Sequence, residues 1–111
     1  MMERLFSYGT LRDAHVQRAI LGHTVPGAPD AILGYRLRAI TLTDEKTIAL
    51  SGKAEHTILE PTGDDNDQVE GIALELSAAD LAKADAYEPP DYKRARARLR
   101  SGLTCWVYVK A

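Results

Sequence analysis

The sequence predicts an α+β fold: a small, mainly antiparallel, barrel-like sheet with flanking helices. Three observations lead there. Apolar and polar residues alternate along Val69 to Leu76, Tyr92 to Arg100 and Leu103 to Val109, the period of half-buried strands. Two segments with helical signals, opened by Asp13 and Ser77, stand between the strand-like runs. The resulting order is strand, helix, several strands, helix and hairpin, which differs from the strict alternation of a parallel α/β sheet.

The elements follow from local chemistry. Arg4 to Tyr8 reads as a first strand stopped by Gly9, and Asp13 caps a helix over residues 13 to 21 that Gly22 ends. Between Val25 and Gly34, Pro26, Gly27 and Pro29 permit only edge-type or bulged extended chain. Tyr35, Leu37 and Ala39 then alternate with Arg36 and Arg38 as a strand. Residues 43 to 53 have no clear period and read as a loop with room for a short strand.

His56 to Glu60 reads as extended, and Pro61 to Gln68 as a polar, acidic connection. Ser77 with Asp80 three residues on resembles a capping box and opens an alanine-rich helix. Pro89 disfavours helical backbone at the residue before it, so this helix stops near Glu88 and leaves Glu88 extended. Ser101 and Gly102 then predict a two-residue hairpin turn between the last two strands.

Composition limits the function. A length of 111 residues suits one domain over the whole chain, and 45% hydrophobic with 27% charged residues is the balance of a soluble globular protein. The apolar runs are far shorter than the roughly 20 residues that span a bilayer, and residues 1 to 8 lack the pattern of a secretory signal. The expectation is therefore a cytoplasmic protein that engages no membrane. A net charge of -2 gives no reason to expect nucleic acid as a partner.

Other polar signals read as ordinary surface or core. Arg94, Arg96, Arg98 and Arg100 alternate as a solvated outer sheet face, and the lone Cys105 falls among Leu103, Val107 and Val109 as a core thiol. His15, His23 and His56 lack metal-ligand spacing, so no metal is expected.

Two features could carry chemistry. A glycine after the first strand lets the N–H groups of Gly9, Thr10 and Leu11 form a concave site for an anion such as a carboxylate. Glu88, between Tyr87 and the pair Pro89 and Pro90, sits in a segment stiff and apolar enough to raise a carboxyl pKa. Each alone has a plain structural explanation, a turn in the first case and an exposed helix end in the second.

Together they resemble a family. The order of a first strand running into Tyr8, Gly9, Thr10 and Leu11, a helix ending in Asp85, Ala86, Tyr87 and Glu88, and a strand starting with Tyr92 and Arg94 is similar to the γ-glutamylcyclotransferases and their AIG2-like relatives. The similarity extends over nearly the whole chain. It implies a small barrel flanked by helices, a turn at Tyr8 to Leu11 that holds the α-amino and α-carboxylate end of a γ-glutamyl group, and Glu88 as the catalytic acid/base. Tyr92 and Arg94 match a Tyr-x-Arg strand start and join the substrate-binding set, chiefly by supporting the pocket and Glu88.

The reaction so implied needs no cofactor: the substrate's α-amine attacks its own γ-carbonyl, giving 5-oxoproline and a free amine. The partner implied is a small γ-glutamyl molecule, whose leaving group could be an amino acid, a peptide or a simple amine. The sequence departs from the family at Ile48 to Gly52, where many members carry an aromatic-Pro segment. That departure keeps a second reading open, a non-catalytic ligand-binding or interaction module with the same cavity.

Overall fold

The computed structural model describes residues 2–41, 55–89 and 91–110. Strand β1, Met2–Ser7, runs into a single 3-10 turn at Thr10–Arg12, which leads to helix α1, Ala14–Leu21. Asp13 caps α1 by accepting the His15 N–H at 2.8 Å, and Gly22 closes it. Strands β2, Gly27–Leu33, and β3, Tyr35–Thr41, follow, then β4, Glu55–Pro61, and β5, Gln68–Ser77. The expected loop at 43 to 53 and the departing segment Ile48 to Gly52 lie outside the described residues.

Helix α2, Ala78–Tyr87, begins where the Ser77 hydroxyl accepts the Asp80 N–H at 3.1 Å. Strands β6, Tyr92–Arg98, and β7, Thr104–Lys110, complete the chain. The turn between them differs from the two-residue expectation. Leu99 C=O accepts the Gly102 N–H at 2.9 Å and Leu99 N–H donates to Leu103 C=O at 2.8 Å, so Arg100, Ser101 and Gly102 form a three-residue loop. Gly102, at φ 95°, takes the left-handed position that such a loop requires.

Five strands form one sheet in the order β2-β5-β1-β7-β6, while β3 and β4 pair as a second, two-stranded sheet. Most pairings are antiparallel. The exception is β1 with β7, parallel, so that Leu5 lies opposite Leu74 on one side and Trp106 on the other. Pro29, which lacks an N–H, is tolerated because β2 is an edge strand.

Closure into a barrel is not found among the described residues. The edges β2 and β6 meet only through one end, where Ile32 and Leu99 form an antiparallel bridge and Arg100 N–H donates to Ala31 C=O at 2.8 Å. Asp30 secures this seam: its carboxylate accepts the Ala31 N–H at 2.8 Å, the Ser101 N–H at 3.2 Å and a short bond from the Ser101 hydroxyl. Burial works to raise its pKa, but these bonds and the charge of Arg100 outweigh it and hold the carboxyl below its usual value.

Alternation along the strands fills both faces of the five-stranded sheet. Leu5, Leu74, Leu76 and Tyr108 pack under α1 and α2 with Val16, Leu81 and Ala84, and the opposite face carries Phe6, Ile32, Val69, Cys105 and Val107 against Leu59 of β4. Cys105 is thus the core thiol that its spacing predicts. The segment just after α1 is tied to α2 by His23 Nε2 and Asp80 Oδ2 at 2.9 Å. Gly71 permits a close approach at the end of β1, since a Cβ there would lie 2.5 Å from Ser7 O and 2.6 Å from Phe6 Cζ. No helix among the described residues is long and apolar enough to cross a membrane.

Candidate active site

The site begins where β1 runs out. The strand ends at Ser7, so Tyr8 lies just beyond it, buried, with its hydroxyl donating to Tyr108 C=O at 2.6 Å. Burial foremost, with Tyr92 and Glu88 adding to it, pushes this phenol far above its usual pKa and keeps it a donor. In the 3-10 turn that follows, the first bonded donors are Arg12 N–H, to Gly9 C=O at 3.2 Å, and Asp13 N–H, to Thr10 C=O at 2.9 Å. The N–H groups of Gly9, Thr10 and Leu11 precede them and fall outside the repeat.

The turn is anchored from behind. Leu11 is buried among Leu5, Val16 and Leu81, and the Gln17 side chain donates to Leu11 C=O at 2.9 Å while accepting the Val25 N–H at 3.0 Å. Gly9 stays at φ -128°, so positive φ is not its purpose. A Cβ on Gly9 would meet nothing within 4 Å, which leaves that side of the turn open.

Glu88 reaches the same cavity from the end of α2. Its N–H still donates to Ala84 C=O at 3.1 Å, but at φ -66° and ψ 133° the chain has already left the helix, as Pro89 requires. Pro89 itself is fully buried and fixes the support. The Glu88 carboxyl is pushed up to about 8, first by burial and second by the charge of Asp85. A carboxyl so placed can exchange a proton near neutral pH.

Asp85 is held by two groups. The Tyr108 hydroxyl donates to its Oδ1 at 2.8 Å, and Arg94 Nε approaches the same oxygen at 3.2 Å. Arg94 and Arg96 each place a guanidinium 4.2 Å from the centre of the Trp106 ring, and Trp106 Nε1 donates to Glu3 Oε2 at 3.3 Å. Tyr92 links β6 to the small sheet through its hydroxyl, which donates to Thr57 C=O at 2.9 Å.

These walls enclose an open cavity of about 980 Å³, lined by Tyr8, Gly9, Thr10, Leu11, Glu88 and Tyr92. Arg12, Tyr87, Tyr108, Leu37, Ala39 and Thr57 line it as well. Six of the seven site residues read from the sequence therefore share one space. Arg94 is not among the lining residues and sits behind Asp85. The sequence assigns no role to Arg12 or Tyr108, and it brings in Asp85 only as part of the helix end that carries the resemblance; the three-residue spacing from Asp85 to Glu88 is the signal for a role. Among the described residues no group of three or more His, Cys, Asp or Glu side chains is placed to hold a metal ion.

The sheet flanked by two helices carries one cavity lined both by the turn after the first strand and by Glu88. The chain belongs to the gamma-glutamyl cyclotransferase, AIG2-like family, whose model matches residues 5–111. No curated protein sequence matches it. The fold is shared with several solved structures at low identity. One, a solution structure from Arabidopsis thaliana, has a TM-score of 0.70 at 21% identity over 99% of this chain, which spans only 62% of that protein. Another, named gamma-glutamyl cyclotransferase, has a TM-score of 0.73 at 11% identity over 100% of this chain and 68% of the other. A human protein described as uncharacterised gives 0.72 at 14% identity, over 99% and 67%.

Proposed function

We propose that this protein cyclises a γ-glutamyl compound to 5-oxoproline and releases the attached amine, with Glu88 as general acid and base. One observation carries the reading: Glu88, whose carboxyl titrates at about 8, lines the same cavity as the turn Tyr8 to Leu11. The turn offers N–H donors to the α-carboxylate, and its glycine leaves room for backbone and ligand to approach. Tyr8 and Tyr92, with hydroxyls committed to Tyr108 and Thr57 carbonyls, brace the two sides. Arg94 acts through Asp85 on the setting of Glu88.

The substrate's α-amino group arrives as an ammonium, and the Glu88 carboxyl, pushed up to about 8, is a stronger base towards it than an ordinary carboxylate. The freed amine attacks the γ-carbonyl carbon and a five-membered ring closes. The ring nitrogen then gives up a second proton as the bond from the carbonyl carbon to the leaving nitrogen breaks. Both protons depart on the released amine, and Glu88 ends as the carboxylate it began. Because nucleophile and electrophile share one molecule, holding the flexible chain folded is the main task, and orientation of that kind contributes about 7 to 11 kcal/mol.

The test is incubation of the protein with a panel of γ-glutamyl amines and dipeptides, with 5-oxoproline and free amine both quantified. Equal amounts of the two products from at least one member are expected. A wholly negative panel would overturn the reading and favour a ligand-binding module.

A further inference from the structure

We propose that Arg12 is the residue that recognises the substrate's free α-carboxylate, so that the site takes γ-glutamyl compounds carrying that charge. The inference rests on the cyclising function proposed above and deepens it. Among the described residues lining the cavity, Arg12 is the only cation; Asp13 and Glu88 are the acidic ones. It follows the turn directly, and its Nε donates to Gly9 C=O at 3.1 Å. That bond holds the exposed guanidinium beside the turn and uses one of its five N–H donors, leaving the two terminal amino groups for a ligand.

Arg12 takes part in none of the ion pairs among the described residues. Arg94, by contrast, is already committed to Asp85. A planar fork beside a row of backbone donors matches a carboxylate, which can accept from both at once. A neutral carboxamide in the same place keeps the shape and loses the charge. An N-terminal glutamine in a peptide, whose α-carboxyl is already an amide, would be a poor substrate for the same reason.

The experiment compares wild type with Arg12→Ala and Arg12→Lys on two substrates, a γ-glutamyl amine and its analogue with the α-carboxylate replaced by a primary carboxamide. Arg12→Ala should raise KM for the carboxylate at least about tenfold with a much smaller change in kcat, and erase the preference over the carboxamide. Arg12→Lys should restore part of that preference, since it returns the charge without the fork. An unchanged KM, or equal loss on both substrates, would overturn the proposal.

The same comparison can be made by binding alone, with 5-oxoproline against its carboxamide. Wild type should favour the acid and Arg12→Ala should not. A preference absent from wild type or retained in the variant refutes the role of Arg12. A panel without turnover, together with an Arg12-dependent preference in binding, would instead refute the cyclising function and leave the carboxylate site standing.

Discussion

The Tyr108 hydroxyl donates to Asp85 Oδ1 at 2.8 Å, fastening β7 to the last turn of α2 three residues before Glu88. Arg94 approaches the same oxygen at 3.2 Å, so a partly exposed aspartate is fixed as a second negative charge next to the cavity. Like charges oppose ionisation of each other, and this one adds to burial in raising Glu88 to about 8. The strand and helix thus set both the position and the proton affinity of the glutamate.

A consequence is testable through the pH profile. For wild type, kcat/KM should rise with pH along an acid limb near 8, where Glu88 becomes the carboxylate that accepts a proton. Asp85→Asn keeps an acceptor for Tyr108 and removes the charge, so the limb should move towards the ordinary carboxylate range. An acid limb unmoved by the substitution would show that Asp85 does not tune Glu88.

Stability should carry the same signature. The folded pKa of Glu88, about 8, is above its unfolded value of 4.5, so between those two pH values the folded chain binds a proton that the unfolded chain has lost. Stability contributed by the protonated carboxyl is fully present below 4.5, declines as pH rises, and is gone above about 8. Glu88→Gln has no such loss. Its melting temperature should exceed that of wild type at pH 9 and approach it at pH 4.5, by differential scanning calorimetry across that range.

Gly9, which lines the cavity, and Gly71, packed within β5, should respond in opposite ways. Gly9→Ala adds a Cβ into open space, so stability should stay within roughly 1 kcal/mol of wild type while kcat/KM falls at least about tenfold through obstruction of the turn. Gly71→Ala drives a Cβ against Ser7 O and the Phe6 ring, with a cost of about 1–3 kcal/mol or more. Urea denaturation and steady-state kinetics on both variants separate the effects. A destabilised Gly9→Ala would mean that this glycine serves the fold.

What the sequence discloses depends on how local its cause is. Both helices were legible because Asp13 and Ser77 cap them, and Gly22 and Pro89 end them, within a few residues. Glu88 was legible for the same reason, since Pro89 alone makes it extended. Strand order was not, because the position of β1 between β5 and β7 depends on contacts of Leu5 with residues 69 and 101 positions away. The hairpin turn was misread by one residue, and register is sensitive to such a change. Arg94 lies opposite Tyr108 only in the observed register, and both reach Asp85 from there. The network behind Glu88 therefore stayed hidden while Glu88 itself did not.

The proposed mechanism makes Glu88 the carrier of the proton in ring closure. Its most direct test is 5-oxoproline release by Glu88→Gln, measured beside wild type on the best γ-glutamyl substrate at pH 8, with folding checked by circular dichroism and substrate binding by calorimetry. The expected result is a folded variant that still binds substrate and whose kcat is at least about 100-fold lower. Full turnover by that variant would contradict it.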